Sequence, residues 1–227
     1  MPLASMRDWP VSERPRERLI AAGAPALSDA ELLAVLLQTG LPGRSALDVA
    51  RELLVRFAGL RGVLAAPLPK FRATPGLGEA RYACLQAAVE LARRTLREEL
   101  AQRDALSSPA LVRQYLALAL QNRPNEIFVG LFLDSQNRLL AAEELFRGTL
   151  NQTAVYPREV ARLALERNAA AVIFAHNHPS GVAEPSHADR MLTHALRGAL
   201  QQLDIAVLDH VIVAGAHTYS FAENGIL

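Results

Sequence analysis

Residues 175–189 read AHNHPSGVAEPSHAD and hold three of the chain's six histidines, followed by a serine and an aspartate. Side chains two apart in an extended segment project from one face. His176 and His178, at the end of an apolar run, can therefore offer two imidazoles to one ion. Asp189 falls on the first turn of a helix that Ser186 opens. A helix start set against a strand end can bring that carboxylate to the same point. Two His and one Asp with a water in the fourth position is a catalytic zinc arrangement, and zinc lowers that water's pKa to about 7. The same residues admit a plainer reading. Ser186-x-x-Asp189 is also a capping-box pattern, in which Asp189 only satisfies free helix N–H groups. His-x-His by itself is commonly part of a polar surface loop. His187 and His194 read as helix-surface residues and His217 as a turn residue. His210, in LDHVIV, reads as a strand histidine that lines or braces the site. An Fe(II) facial triad usually takes His-x-Asp/Glu with a distant His, which is not this order. A deaminase-type zinc needs Cys ligands, and Cys84 is the sole cysteine.

The elements that must position these groups are legible from pattern. AAVIFAH is a short apolar run that reads as a buried strand ending at His176. Ser186 starts a helix running to about Leu203. EIFVGLFLD is a β-rich stretch, DSQNR a turn, and LLAAEELFRGT its hairpin partner. Pro109 and Pro157 open helices, and IAVLDHVIVAG with HTYSFAE makes a final strand pair. The order αββαβαββ indicates an α/β domain with a mixed sheet over residues 105–227. Residues 1–104 read as all helix. Ser28 with Glu31 and Ser45 with Asp48 form capping boxes, Gly40 and Gly59 supply stops, and a long helix covers roughly 79–102. Gly76 and Gly78, in TPGLG, form a tight turn before it.

Composition bounds the rest. The chain has 227 residues, 51% hydrophobic and 21% charged, ordinary for one large or two small globular domains. A single cysteine excludes a disulfide framework and a Cys-rich zinc site. No stretch is long and uncharged enough to span a bilayer. The start, MPLASMRDWPVSERPRERL, has no apolar core and no cleavage pattern, so a cytoplasmic protein is expected. Residues 1–104 carry 15 Lys/Arg against 12 Asp/Glu, a net of +3, and residues 105–227 carry 9 against 11, a net of −2. A net charge of +1 over the whole chain argues neither for nor against nucleic acid.

Written as a pattern, the opening stretch is His-x-His, seven residues, Ser, two residues, Asp. It is similar, complete in residue type and spacing, to the JAMM motif of the MPN/JAB metallopeptidases. GTLNQTAVYPREVARLALERNAAAVIFAHNHPSG, with EPSHAD and LDHVIV, resembles the RadC branch of that family over residues 107–227. ALSDAELLAVLLQTG and PGLGEARYACLQAAVELARR resemble the helical region that precedes it. The resemblance implies a cytidine-deaminase-like MPN/JAB domain behind an all-α, helix-hairpin-helix-like domain. It implies one Zn2+ per chain on His176, His178 and Asp189, and Ser186 as a donor to the oxyanion. It also implies a glutamate general acid/base on the first strand after the first helix, which is Glu126 here. Glu143, Glu144 and Glu159 are the other acidic candidates. The expected reaction is hydrolysis of a peptide, isopeptide or related amide bond, with Pro179 and Gly181 shaping the turn beside the metal and 148–156 offering a strand edge to substrate. Residues 70–94, with Lys70, Arg72 and Arg81 near the glycine turn, are expected to hold a DNA backbone through free helix N–H groups. The alternative is a DNA-associated, repair-linked protein in which the metal site is structural.

Overall fold

Proline and side-chain caps set the helix starts. In the computed structural model, residues 9–120, 123, 125–148 and 155–227 are described. The chain divides into two compact units, Met1–Leu91 and Ala92–Leu227. The first holds α1 (Pro15–Ala22), α2 (Asp29–Leu37), α3 (Ala46–Arg56), α4 (Leu60–Ala65), α5 (Leu68–Arg72) and most of α6 (Glu79–Leu100), within which the division falls. Both expected capping boxes are formed: Ser28 and Glu31 at α2, Ser45 and Asp48 at α3. Leu33, Leu37, Ala50, Leu53, Val63, Phe71 and Leu85 form this unit's core. α2 stops at Leu37, short of Gly40. Gln38 takes φ 64° and ψ −50°, and the Thr39 amide donates to the Leu37 carbonyl at 2.7 Å, a strained γ-turn. Arg81 braces the segment after that turn by donating to the carbonyls of Thr39 at 2.7 Å, Gly40 at 3.1 Å and Gly76 at 2.8 Å. Gly76 is required here, because it sits at φ 78° and a Cβ would come within 2.3 Å of the Leu41 side chain.

The second unit follows the expected order. It runs α7 (Pro109–Leu120), β1 (Glu126–Leu133), β2 (Leu139–Gly148), α8 (Pro157–Glu166), β3 (Ala171–Asn177), α9 (His187–Gln201), β4 (Ala206–Ala214) and β5 (His217–Ser220). Among the described residues these strands form one five-stranded sheet, β2-β1-β3-β4-β5. β3 and β4 are parallel and the other neighbours antiparallel, so the fold is mixed α/β. β3 is buried along its whole length, which is why its sequence reads as an unbroken apolar run. Ile173 and Ala175 pack with Val112, Leu116 and Leu120 of α7 on one face. Val172 and Phe174 pack with Val160 of α8 and Leu196 and Leu200 of α9 on the other. The β3–β4 register slips by one residue between Val172/Val207 and Ile173/Asp209. Such a bulge turns every later side chain of the strand to the opposite face. Here it sets His210 opposite Phe174 and Asp209 opposite Ile173, where Asp209 accepts from the Ser220 hydroxyl at 2.6 Å and the Ala222 amide at 2.9 Å. Among the described residues no helix is long and apolar enough to cross a membrane.

Candidate metal centre

The connection from β3 to α9 folds the JAMM-like stretch back on itself. His176 lies on the face of β3 that α9 covers, and His178 follows just beyond the strand, its amide bonded to the Val213 carbonyl at 2.9 Å. A tight turn closes when the Gly181 amide donates to the His178 carbonyl at 3.1 Å, with Gly181 at φ 81°. The turn returns the Val182 carbonyl to His178 Nδ1 at 2.7 Å. A carbonyl only accepts, so Nδ1 carries the hydrogen and Nε2 is the nitrogen that faces the site. Ser186 then caps α9 and brings Asp189 onto its first turn.

The three side chains converge. His176 Nε2 lies 2.9 Å from His178 Nε2 and 3.2 Å from Asp189 Oδ1, and His178 Nε2 lies 3.6 Å from Asp189 Oδ2. Ligand atoms about 2.0–2.1 Å from a tetrahedral zinc stand about 3.3 Å apart. His176 Nε2 stands close to that distance from both His178 Nε2 and Asp189 Oδ1, all three ligand atoms lie within 4.8 Å of one another, and the donor set suits a small divalent cation with borderline-soft ligands. No other group of three or more His, Cys, Asp or Glu side chains within such reach occurs among the described residues. The capping role and the convergent role of Asp189 coexist. Oδ2 accepts from the Ser186 hydroxyl at 2.6 Å and the Ser186 amide at 2.7 Å, while the Asp189 amide donates to Ser186 Oγ at 3.2 Å. Oδ1 is left toward His176. The Ser186 hydroxyl hydrogen is thus engaged with Asp189 Oδ2.

The charges follow from these contacts. Burial pushes the Asp189 carboxyl up, but hydrogen bonds from His176 and His178 and the Ser186 hydroxyl outweigh it and hold the group well below the usual carboxylate range. The Asp189 hydrogen bond raises His178 against the opposing effect of its partial burial, with the Val182 carbonyl and the charge of Glu126 adding to the rise. His210 is driven well below the usual imidazole value, chiefly by full burial and then by the neighbouring His176.

Glu126 opens β1, half-buried, two residues before Phe128, which pairs with His176. Side chains two apart on a strand share a face, so Glu126 lies on the face of β1 that meets His176, near enough for its charge to raise His178. Its neighbours are pinned by Asn177, a buried residue between the two histidines. Asn177 Oδ1 accepts from the Ile127 amide at 2.8 Å, and Nδ2 donates to the Asn125 carbonyl at 3.1 Å. The other acidic candidates carry arginines: Glu143 with Arg167, Glu144 with Arg147 at 2.7 Å, and Glu159 with Arg162 at 3.2 Å. His187, His194 and His217 are exposed, as expected of surface and turn residues. His210 is fully buried and braces the site, its Nε2 2.8 Å from His176 Nδ1. Sequence reading missed Asn177 and Thr193. The signal for Thr193 was its i+4 spacing from Asp189, which puts both on one face of α9. Of the 148–156 edge, residues 149–154 lie outside the described residues. In the 70–94 segment, Arg72 pairs with Glu79 at 3.1 Å and Arg81 is turned to backbone carbonyls, while Lys70 is exposed.

Comparison with known proteins places the whole chain among relatives. A family profile described as RadC-like JAB domain matches residues 106–226, and one described as UPF0758 N-terminal matches residues 6–83. A UPF0758 protein of Nitrosospira multiformis is 58% identical over 223 residues, covering 98% of this chain and 100% of the relative. UPF0758 proteins of Chromobacterium violaceum and Halorhodospira halophila show the same identity and coverage.

Proposed function

The chain belongs to the RadC family, with a RadC-like JAB domain behind a UPF0758 N-terminal domain, and from that premise we propose that it is a zinc-dependent metallohydrolase of JAMM type. Its substrate is a peptide, isopeptide or related amide. The observation that carries the reading is the convergence of one ligand atom each from His176, His178 and Asp189 within 4.8 Å of one another, with His176 Nε2 2.9 Å from His178 Nε2 and 3.2 Å from Asp189 Oδ1. Bound zinc would supply Lewis acidity and bring a water's pKa toward neutrality. His176 and His178 would hold it through Nε2 and Asp189 through Oδ1. Glu126, on the same face, takes a proton from the attacking water and returns it to the leaving amine, the work of a general acid/base. Ser186 orients Asp189 through Oδ2. When its hydroxyl rotates off that oxygen it can donate to the oxyanion of the tetrahedral intermediate, an interaction of the kind that lowers acyl-transfer barriers. In the same reading residues 70–94 hold DNA backbone without sequence preference.

The test compares zinc-loaded wild type with Glu126→Gln on a mixture of linear and lysine-branched peptides, reading released amines by mass spectrometry. Glu126→Gln should cleave ~10²–10⁴-fold more slowly while retaining its zinc. Equal cleavage by the two proteins, or cleavage that survives chelation, contradicts the reading.

A further inference from the structure

Behind the candidate metal centre lies a line of buried polar groups that the proposed chemistry does not use. Thr193 Oγ1 stands 2.6 Å from the Asp189 carbonyl oxygen and 2.6 Å from His210 Nδ1. His210 Nε2 stands 2.8 Å from His176 Nδ1. Thr193 is buried and His176 and His210 are each 0% exposed, and the other contacts of His176, to His178 and Asp189, are made through Nε2. Hydrogens can be assigned along this line by elimination. A carbonyl has no hydrogen, so Thr193 donates its only one to Asp189. Its oxygen must then accept, and His210 Nδ1 must donate. Phe128, Phe174 and Phe221 pack around His210, with ring centroids 5.3, 6.5 and 4.7 Å away. A second proton there would place a charge in an apolar pocket with no acidic side chain bonded to it, at high desolvation cost. His210 is therefore neutral, its Nε2 is a bare acceptor, and His176 Nδ1 carries the hydrogen that fills it. That leaves His176 Nε2 to face His178 and Asp189.

We propose that Thr193 and His210 are positioning residues that fix His176 as the Nδ1–H tautomer and so present Nε2 as a metal ligand. The line starts and ends on candidate ligands, because the Asp189 carbonyl receives the hydrogen that begins the relay. The α9 turn that aims the Asp189 carboxylate thus also sets the ring state of His176. Outer hydrogen bonds of this kind typically change metal affinity ~10–100-fold. This inference rests on the zinc reading above, and the experiment separates the two.

The full-length protein, labelled with 15N, is studied by long-range imidazole NMR without metal and with zinc, alongside zinc titrations against a competing chelator. Wild type should show a hydrogen on His176 Nδ1 in both states and zinc on Nε2. Thr193→Val, which keeps the shape and removes the hydroxyl, should weaken zinc ~10–100-fold and move the His210 hydrogen from Nδ1 to Nε2. Thr193→Ser should restore both. His210→Phe should weaken zinc in the same way; if that variant does not fold, the Thr193 pair still decides. A bare His176 Nδ1 in wild type, or Thr193→Val binding zinc as tightly as wild type, overturns the positioning role while leaving the hydrolase reading intact. A wild type that takes up no zinc overturns both.

Discussion

Ser186→Ala separates what a helix cap contributes from what a metal-orienting contact contributes, because the chain contains its own control. The boxes at Ser45 and Ser186 have nearly the same dimensions. The serine hydroxyl meets Asp48 at 2.6 Å and Asp189 at 2.6 Å, and the returning amide bonds are 3.1 and 3.2 Å. They differ in burial: the Asp48 side chain is 45% exposed and the Asp189 side chain 1%. Losing either cap costs about 1 kcal/mol. Water replaces the lost donor at Asp48. At Asp189 a buried carboxylate loses a charge-assisted bond, a further 1.5–3 kcal/mol or so. The Ser186 amide still donates to the same oxygen, which favours the low end. Ser45→Ala should therefore cost about 1 kcal/mol and Ser186→Ala about 2.5 kcal/mol. Native-state hydrogen exchange on the metal-free full chain reads each at its own helix, α3 or α9. Zinc adds a second readout. At 100 times the wild-type Kd, zinc stabilises wild type by about 2.7 kcal/mol. If Ser186→Ala weakens binding about 10- to 100-fold, the same zinc stabilises it by only about 1.4 to 0.4 kcal/mol. Equal costs for the two serines, or an undiminished zinc gain in Ser186→Ala, would refute the coupling between cap and ligand.

Metal-free protein should be most stable to urea near pH 6.5, the ordinary imidazole value. His178 is raised in the fold, so its contribution is complete below its unfolded value and lost as pH rises through the folded one. His210 is lowered, so its contribution is complete above its unfolded value and lost as pH falls through the folded one. His178→Gln should abolish the alkaline decline alone, and an unchanged alkaline limb would contradict this assignment. Gly76→Ala should destabilise the first unit by about 2–3 kcal/mol, from positive φ and collision with Leu41. Trp9 fluorescence during urea unfolding measures it, and a wild-type midpoint would show that Leu41 yields. Full-length protein should bind duplex DNA at low salt with affinity falling steeply as salt rises. Lys70→Glu should weaken that binding, and absence of binding at low salt counts against the 70–94 reading.

Much of this molecule is written locally in its sequence. The helix starts at Ser28, Ser45 and Ser186 follow from side chains that bond amides three residues on, so they need no tertiary context. The strand carrying His176 is legible because both of its faces are buried. It runs one residue further than read, because it continues to Asn177, whose carboxamide takes the place of a ladder bond to Ile127. Gly40 failed as a stop signal because the helix ends in the turn at Gln38, and the segment after that turn is braced by Arg81, 42 residues from Thr39. The convergence of His176, His178 and Asp189 was visible in spacing, since a strand end and a helix start are joined by a short connection. The support behind it was not. Thr193 reaches His210 across 17 residues and His210 reaches His176 across 34, through a sheet register shifted by a bulge that no local pattern marks.

Metal content of the purified full chain and its variants tests the central claim most directly. Wild type and Glu126→Gln should each hold about one zinc per chain, and His176→Ala and Asp189→Ala almost none while remaining folded. Well-folded wild type without zinc, or zinc retained in both ligand variants, would contradict the account.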